Sequence, residues 1–144
     1  VKQQHLILGL GELLWDILPE EPRSGGISID DSLSGHLGGA PANFAVMAGR
    51  LGDHASILSR IGRDQLGRKA IEQLDPTPVD AGHLQVDMQH PTGLVTVDLG
   101  EGGPHYHIHE QTAWDYLELT DEWVKLAERA DAICFGSLAQ RSRH

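Results

Sequence analysis

Apolar residues fall in short blocks divided by glycine and polar turns, and the blocks switch between strand and helix spacing. Leu6 to Leu10 is a brief apolar run closed by glycines, the pattern of a buried strand. Pro41 to Leu51 is longer and made mostly of small apolar residues, which predicts a helix packed on a sheet over much of its surface. Pro41 suits the first turn, where its missing N–H costs nothing, and Gly52 suits the position just past the end. His54 to Ile61 predicts the next strand. Asp64 suits the cap of a second helix, with Leu66, Ala70, Ile71 and Leu74 at helical spacing, and Asp75-Pro76-Thr77-Pro78 ends it. His83 to Val86 reads as a short strand. Leu94 to Leu99, the turn Glu101-Gly102-Gly103-Pro104 and His105 to His109 read as a hairpin. Thr120-Asp121-Glu122 starts a third helix with Trp123, Ala127 and Ala130 on one face, and Asp131 to Gly136 forms a last strand. Pro19 to Ser34, rich in Pro, Gly, Ser and Asp, reads as a loop holding one short strand around Ile27 and Ile29. Strands alternating with helices predict an α/β fold with a parallel sheet.

Composition narrows the functional classes. The 144 residues suffice for one modest domain, and 40% apolar with 22% charged residues is ordinary for a globular chain. A formal net charge of −10 argues against nucleic-acid binding through a broad basic surface, but not against a sugar or a locally held nucleotide. Cys134 is the single cysteine, which excludes an intrachain disulfide and fits a reducing, cytoplasmic setting. Its neighbours Ile133 and Phe135 predict a buried, inert thiol. No apolar run is long enough to span a membrane.

The chemistry concentrates in Gly38-Gly39-Ala40-Pro41-Ala42-Asn43. Two glycines let the backbone turn tightly and approach a ligand, and a helix start follows with free N–H groups and the Asn43 amide. That combination suits a polar, hydroxyl-rich or anionic small molecule; taken alone, the loop is equally a tight strand-to-helix connection. Asp16, a lone carboxylate among Trp15, Ile17 and Leu18, reads by itself as an exposed turn residue before Pro19. Asp64 reads as a helix cap, with a place in a substrate site the alternative. Gly9 and Gly11 invite a dinucleotide-binding reading that fails, since Leu14 stands where the third glycine belongs. His105, His107 and His109 share one face of a strand; an exposed or interface face explains them better than a metal site, whose ligands usually come from several elements. Trp114 and Trp123 read as packing groups. Ser137 and Arg141 follow the last strand, where ligands bind in open α/β sheets. Arg141 thus suits a phosphate or carboxylate contact, or an ordinary surface position.

Read together, GGAPANFAVMAGRLG (38–52) and SRIGRDQLG (59–67) resemble the N-terminal signature of the ribokinase/PfkB carbohydrate kinases, most closely the fructokinase-like branch. Ala40-Pro41 stand where ribokinases carry a Gly-Lys pair, which fits that branch better. The resemblance implies a three-layer α/β/α ribokinase-like, Rossmann-like sheet, represented by its N-terminal part over residues 1–144. It also implies a small β-lid drawn from roughly residues 12–37 and 90–112. It implies ATP-dependent phosphoryl transfer to a sugar hydroxyl, with Mg2+ on the phosphates. Asp16, Gly38, Gly39 and Asn43 would be the sugar contacts, and lid strands would be available for pairing two copies. The family's Asp-Thr-x-Gly-Ala-Gly-Asp loop, which carries the catalytic Asp, and its Asn-x-x-Glu element do not occur in this sequence; nor does a Gly-x-x-x-x-Gly-Lys-Ser/Thr phosphate loop. The chain is therefore expected to hold the sugar-binding half of such a kinase, without catalytic, nucleotide or metal residues of its own and without activity alone. A non-catalytic sugar-binding module and a nucleoside kinase of the same superfamily are the alternatives.

Overall fold

The computed structural model describes residues 4–19, 27–30, 33–100 and 102–142. Its central sheet has three parallel strands, β1 (Leu6–Leu10) between β5 (His54–Leu58) and β10 (Ala132–Phe135). Side chains alternate across it, as the strand period requires. Ile7, Ala55 and Ile57 join one apolar cluster with Ala42 and Ala45 of helix α1 (Ala40–Arg50). Leu8 and Leu58 point to the other face and meet Trp123 and Leu126 of helix α3 (Asp121–Arg129). The result is helix, sheet, helix in three layers. Helix α1 lies unusually close to β1: a Cβ on Gly9 would stand 2.2 Å from the Pro41 carbonyl oxygen, so glycine is required there.

A second sheet runs in the order β3 (Ile27–Asp30), β4 (Leu33–Gly38), β2 (Leu14–Pro19), β8 (Gly93–Gly100), β9 (Gly103–Ile108). Strands β2 and β8 are parallel; the other pairs are antiparallel. A two-stranded parallel piece joins β6 (Arg60–Gly62) to β7 (Gln85–Asp87), and helix α2 (Gln65–Leu74) follows β6.

The three helices lie where periodicity places them, within a residue or two. Gly52, at φ 99°, closes α1 from the position past its cap, Leu51. Thr120 Oγ1 accepts from the Trp123 N–H at 3.2 Å and caps α3. Three expectations need correction. The single strand over His54 to Ile61 is two strands in different sheets. They part at buried Ser59, whose hydroxyl donates to the Gly11 carbonyl at 2.6 Å and whose carbonyl accepts from the Gln85 N–H. The segment read as loop plus one strand contributes both β3 and the start of β4, with residues 20–26 and 31–32 outside the described set. Cys134 is only partly buried, and its neighbours Ile133 and Phe135 are exposed, because β10 is an edge strand among the described residues.

Candidate functional site

Asp16 lies mid-strand on β2, opposite His36 of β4. Helix α1 begins two residues after β4, and Asn43 sits in its first turn. The connection Gly38-Gly39 brings these elements together. A Cβ on Gly38 would stand 2.8 Å from Asp16 Oδ2 and 3.9 Å from Asn43 Nδ2, so carboxylate and amide converge over a backbone with no side chain. Gly39 has φ 109°, and a Cβ there would meet the Glu12 carbonyl oxygen at 2.2 Å; only glycine fits. Among the described residues, neither the Asp16 carboxylate nor the Asn43 amide takes part in a hydrogen bond. Burial pushes the Asp16 carboxyl above the usual range, and the positive charge available to His36 works against that rise. Beside them, between α1 and the end of α2, a cleft of about 250 Å³ is lined by Gly38, Asn43, Val46, Met47 and Arg50.

The helix start owes its support to a residue that sequence reasoning passed over. Gly39 has no side chain to cap α1, and Glu12, 28 positions before Ala40, accepts the Ala40 N–H through Oε1 at 3.2 Å. A carboxylate at a helix N-terminus is favoured by both the hydrogen bond and the dipole. Glu12 is 5% exposed; its Oε2 has no partner among the described residues and faces Gly136. A lone carboxylate directly after the first strand was the available signal.

The other singled-out residues lie elsewhere. Arg141 donates through Nε and Nη2 to the two oxygens of Asp115, at 2.7 and 2.8 Å, and through Nη2 to the His109 carbonyl at 2.6 Å. Its guanidinium lies 4.1 Å from the centre of the fully buried Trp114 ring. Burial pushes Asp115 up, but the bonds from Arg141 and Thr112 outweigh it and hold the carboxyl below its ordinary range. Asp64 caps α2 by accepting the Gly67 N–H at 2.7 Å, and it also accepts from the N–H and hydroxyl of Thr92, both at 2.7 Å. The Gly62-x-Asp64-x-x-Gly67 element thus fastens the chain just before β8. His107 and His109 meet edge to face with ring centres 4.7 Å apart, and His109 Nε2 pairs with Thr96 Oγ1. Among the described residues no three His, Cys, Asp or Glu side chains are arranged to hold a metal ion. None of the described helices is long and apolar enough to cross a membrane. A separate groove of about 280 Å³ at β10, lined by Leu10, Leu119, Ile133, Phe135 and Ala139, is apolar and does not contain the Asp16–Asn43 cluster.

A parallel sheet between helices, a glycine loop at a helix start and a second sheet carrying Asp16 define an α/β protein of the ribokinase-like kind. The sequence narrows this to one family. The pfkB family carbohydrate kinase pattern matches residues 4–144, and the chain belongs to that family. An uncharacterized sugar kinase from Pyrococcus horikoshii is 34% identical over 133 residues, covering 92% of this chain and 42% of that one. Its crystal structure superposes with a TM-score of 0.80 over 96% of this chain and 45% of that one, at 33% identity. Fructokinase-1 of Zea mays is 31% identical over 140 residues, 94% of this chain and 42% of its own. The fructokinase of Halothermothrix orenii gives a TM-score of 0.73 at 27% identity, over 92% of this chain and 46% of that one. The chain spans about two fifths of the length of the curated relatives it matches.

Proposed function

We propose that this chain forms the sugar-binding portion of a fructokinase-like carbohydrate kinase, an enzyme transferring a phosphoryl group from ATP to a sugar hydroxyl. The observation that supports it most is the convergence of Asp16, Gly38 and Asn43. A carboxylate with free acceptor oxygens and an amide with both donor and acceptor suit vicinal hydroxyls, and the bare glycine backbone lets a sugar ring approach. Gly39 and the Glu12 carboxylate fix the angle at which α1 presents Asn43. Arg141 has its short bonds within the chain, leaving Nη1 with only a 3.5 Å partner, the Ile108 carbonyl; in this reading it mainly braces the root of β9. The second sheet excludes water from the sugar, which otherwise competes as acceptor.

ATP with magnesium supplies the phosphoryl group and its charge stabilisation in this reading. The described residues offer no phosphate loop and no metal-holding cluster, so no residue of this chain is given to either. This chain's part is capture and orientation of the acceptor, and phosphorylation by it alone is not expected. A cytoplasmic setting belongs to the same reading. So does pairing of copies through β3 and β9, the edges of their sheet among the described residues.

The test is thermal unfolding of the protein with D-fructose, other hexoses, ribose and adenosine. A ligand that binds the native state raises the midpoint by mass action. Fructose or another hexose should raise it, and Asp16→Ala should remove the rise. A shift with adenosine and none with any sugar would sink the proposal, as would an undiminished sugar shift in Asp16→Ala.

A further inference from the structure

We propose that the cleft between α1 and α2 is a specificity subsite continuous with the sugar site, where the Gln73 amide accepts a hydrogen bond from a sugar hydroxyl remote from Asp16. The inference rests on the sugar-binding reading of Asp16, Gly38 and Asn43. It starts from the lining of the cleft. The cleft holds Gly38 and Asn43 and follows α1 through Met47 to Arg50, residues that share one helix face. Asp16 Oδ2 borders it, since a Cβ on Gly38 would stand 2.8 Å from that oxygen. The opposite wall comes from Gln73 and Leu74 at the end of α2, and from Thr77. The volume of about 250 Å³ is far more than a single water needs.

Gln73 is the lining residue that packing does not explain. It lies one turn beyond Ala70, at the edge of the buried face that Gly67, Ala70 and Leu74 form on α2. A leucine there would bury apolar surface with no polar group to satisfy. The glutamine instead buries its Oε1 with no hydrogen-bond partner among the described residues. Such orphaned acceptors are uncommon and costly, which calls for a partner. The neighbouring side chains do not act as one. Thr77 donates its hydroxyl to the Leu74 carbonyl at 2.6 Å, and the side chains of Asn43 and Arg50 bond to nothing among the described residues.

The last torsion of a glutamine is a broad rotor, so the amide turns its oxygen into the cleft at small cost when a donor arrives. The donors of an uncharged sugar are its hydroxyls. A sugar that reaches into the cleft restores the missing bond, and one lacking that hydroxyl leaves the oxygen stranded. A site built in this way rejects the deoxy analogue more firmly than an apolar pocket rejects an added or missing methylene.

The experiment measures binding of D-fructose, D-glucose and their 1-deoxy and 6-deoxy analogues by calorimetry, to wild type, Gln73→Leu and Gln73→Met. For the hexose that binds more tightly, wild type should bind one deoxy analogue about tenfold more weakly than the parent. Either variant should lose about tenfold for the parent sugar and stay within about twofold for that analogue, the coupling expected of two groups in direct contact. Methionine keeps the length of the side chain and repeats the measurement should leucine not fit. Without sugar, the unfolding midpoint of the variants should not fall, because the change removes an unsatisfied group rather than a bond. A glutamine that only packed would weaken parent and analogues by the same factor and lower the midpoint. That result, or wild type binding parent and analogues alike, would overturn the inference and leave the sugar-binding reading standing. Should neither hexose bind, the sugar-binding reading fails and takes this inference with it.

Discussion

Three carboxylates near the second sheet meet two fates. Asp64 has both oxygens filled by Gly67 and Thr92, and Asp115 is closed in the same way by Arg141 and Thr112. Asp16, on β2, lies against the bare Gly38, where a Cβ would stand 2.8 Å from its Oδ2, and bonds to none of the described residues. Saturated carboxylates lock segments together; a carboxylate kept unsaturated at the mouth of a fold has acceptor capacity to give to something else. The difference supports the proposed place of Asp16 in a ligand site.

Substitutions can break that contrast at either end. The largest effect belongs to Gly39→Ala. It places a methyl group 2.2 Å from a backbone oxygen at a φ of 109°, and should cost about 3 kcal/mol or more, read as a lowered urea midpoint or an insoluble product. Arg141→Ala comes next. It strands Asp115, whose side chain is 4% exposed, and should cost about 3 kcal/mol at pH 7 in chemical unfolding. Because Asp115 sits below its ordinary value in the fold, the pair's contribution is complete above pH about 4 and disappears as pH drops below that. Wild type and Arg141→Ala should therefore converge in stability in strong acid. The smallest effect sharpens the comparison most. Asp16 carries a raised carboxyl, so its ionised form costs the fold some stability above the ordinary range. Asp16→Asn should leave stability unchanged or raise it by about 0.5 kcal/mol while sugar binding disappears, the exchange expected at a site rather than in a scaffold. A loss of stability comparable to that of Arg141→Ala would place Asp16 with the scaffold.

What could be read from the sequence follows from the range of each signal. Helices α1, α2 and α3 announce themselves through caps, proline and spacing within about a dozen residues, and the structure agrees with them. The Gly38-Gly39 turn and the Asp64 cap are equally local. The break at Ser59 is not: the apolar run continues through it, and only contacts with Gly11 and Gln85 end one strand and begin another. Glu12 capping α1, Arg141 closing on Asp115 and Asp16 reaching Gly38 each join residues more than twenty positions apart. Nothing in their immediate neighbourhoods marks them as partners. The exposure of Ile133 and Phe135 escaped for a related reason, since apolar composition identifies a strand but not whether it ends up central or at an edge.

The place of β1 has a further consequence, for how the chain comes together in time. Strand β1 precedes both of its sheet neighbours in the chain yet lies between them in the central sheet. One flank is covered early, by residues 54–58, but the other waits for residues 132–135, and the bond from the Asp131 N–H to the Leu6 carbonyl joins residues 125 positions apart. Until residues 132–135 are made, Leu6 to Leu10 keeps one row of N–H and C=O groups open to any strand that passes. A sheet that waits for so distant a pairing folds slowly, and the chain is aggregation-prone while that edge of β1 is uncovered.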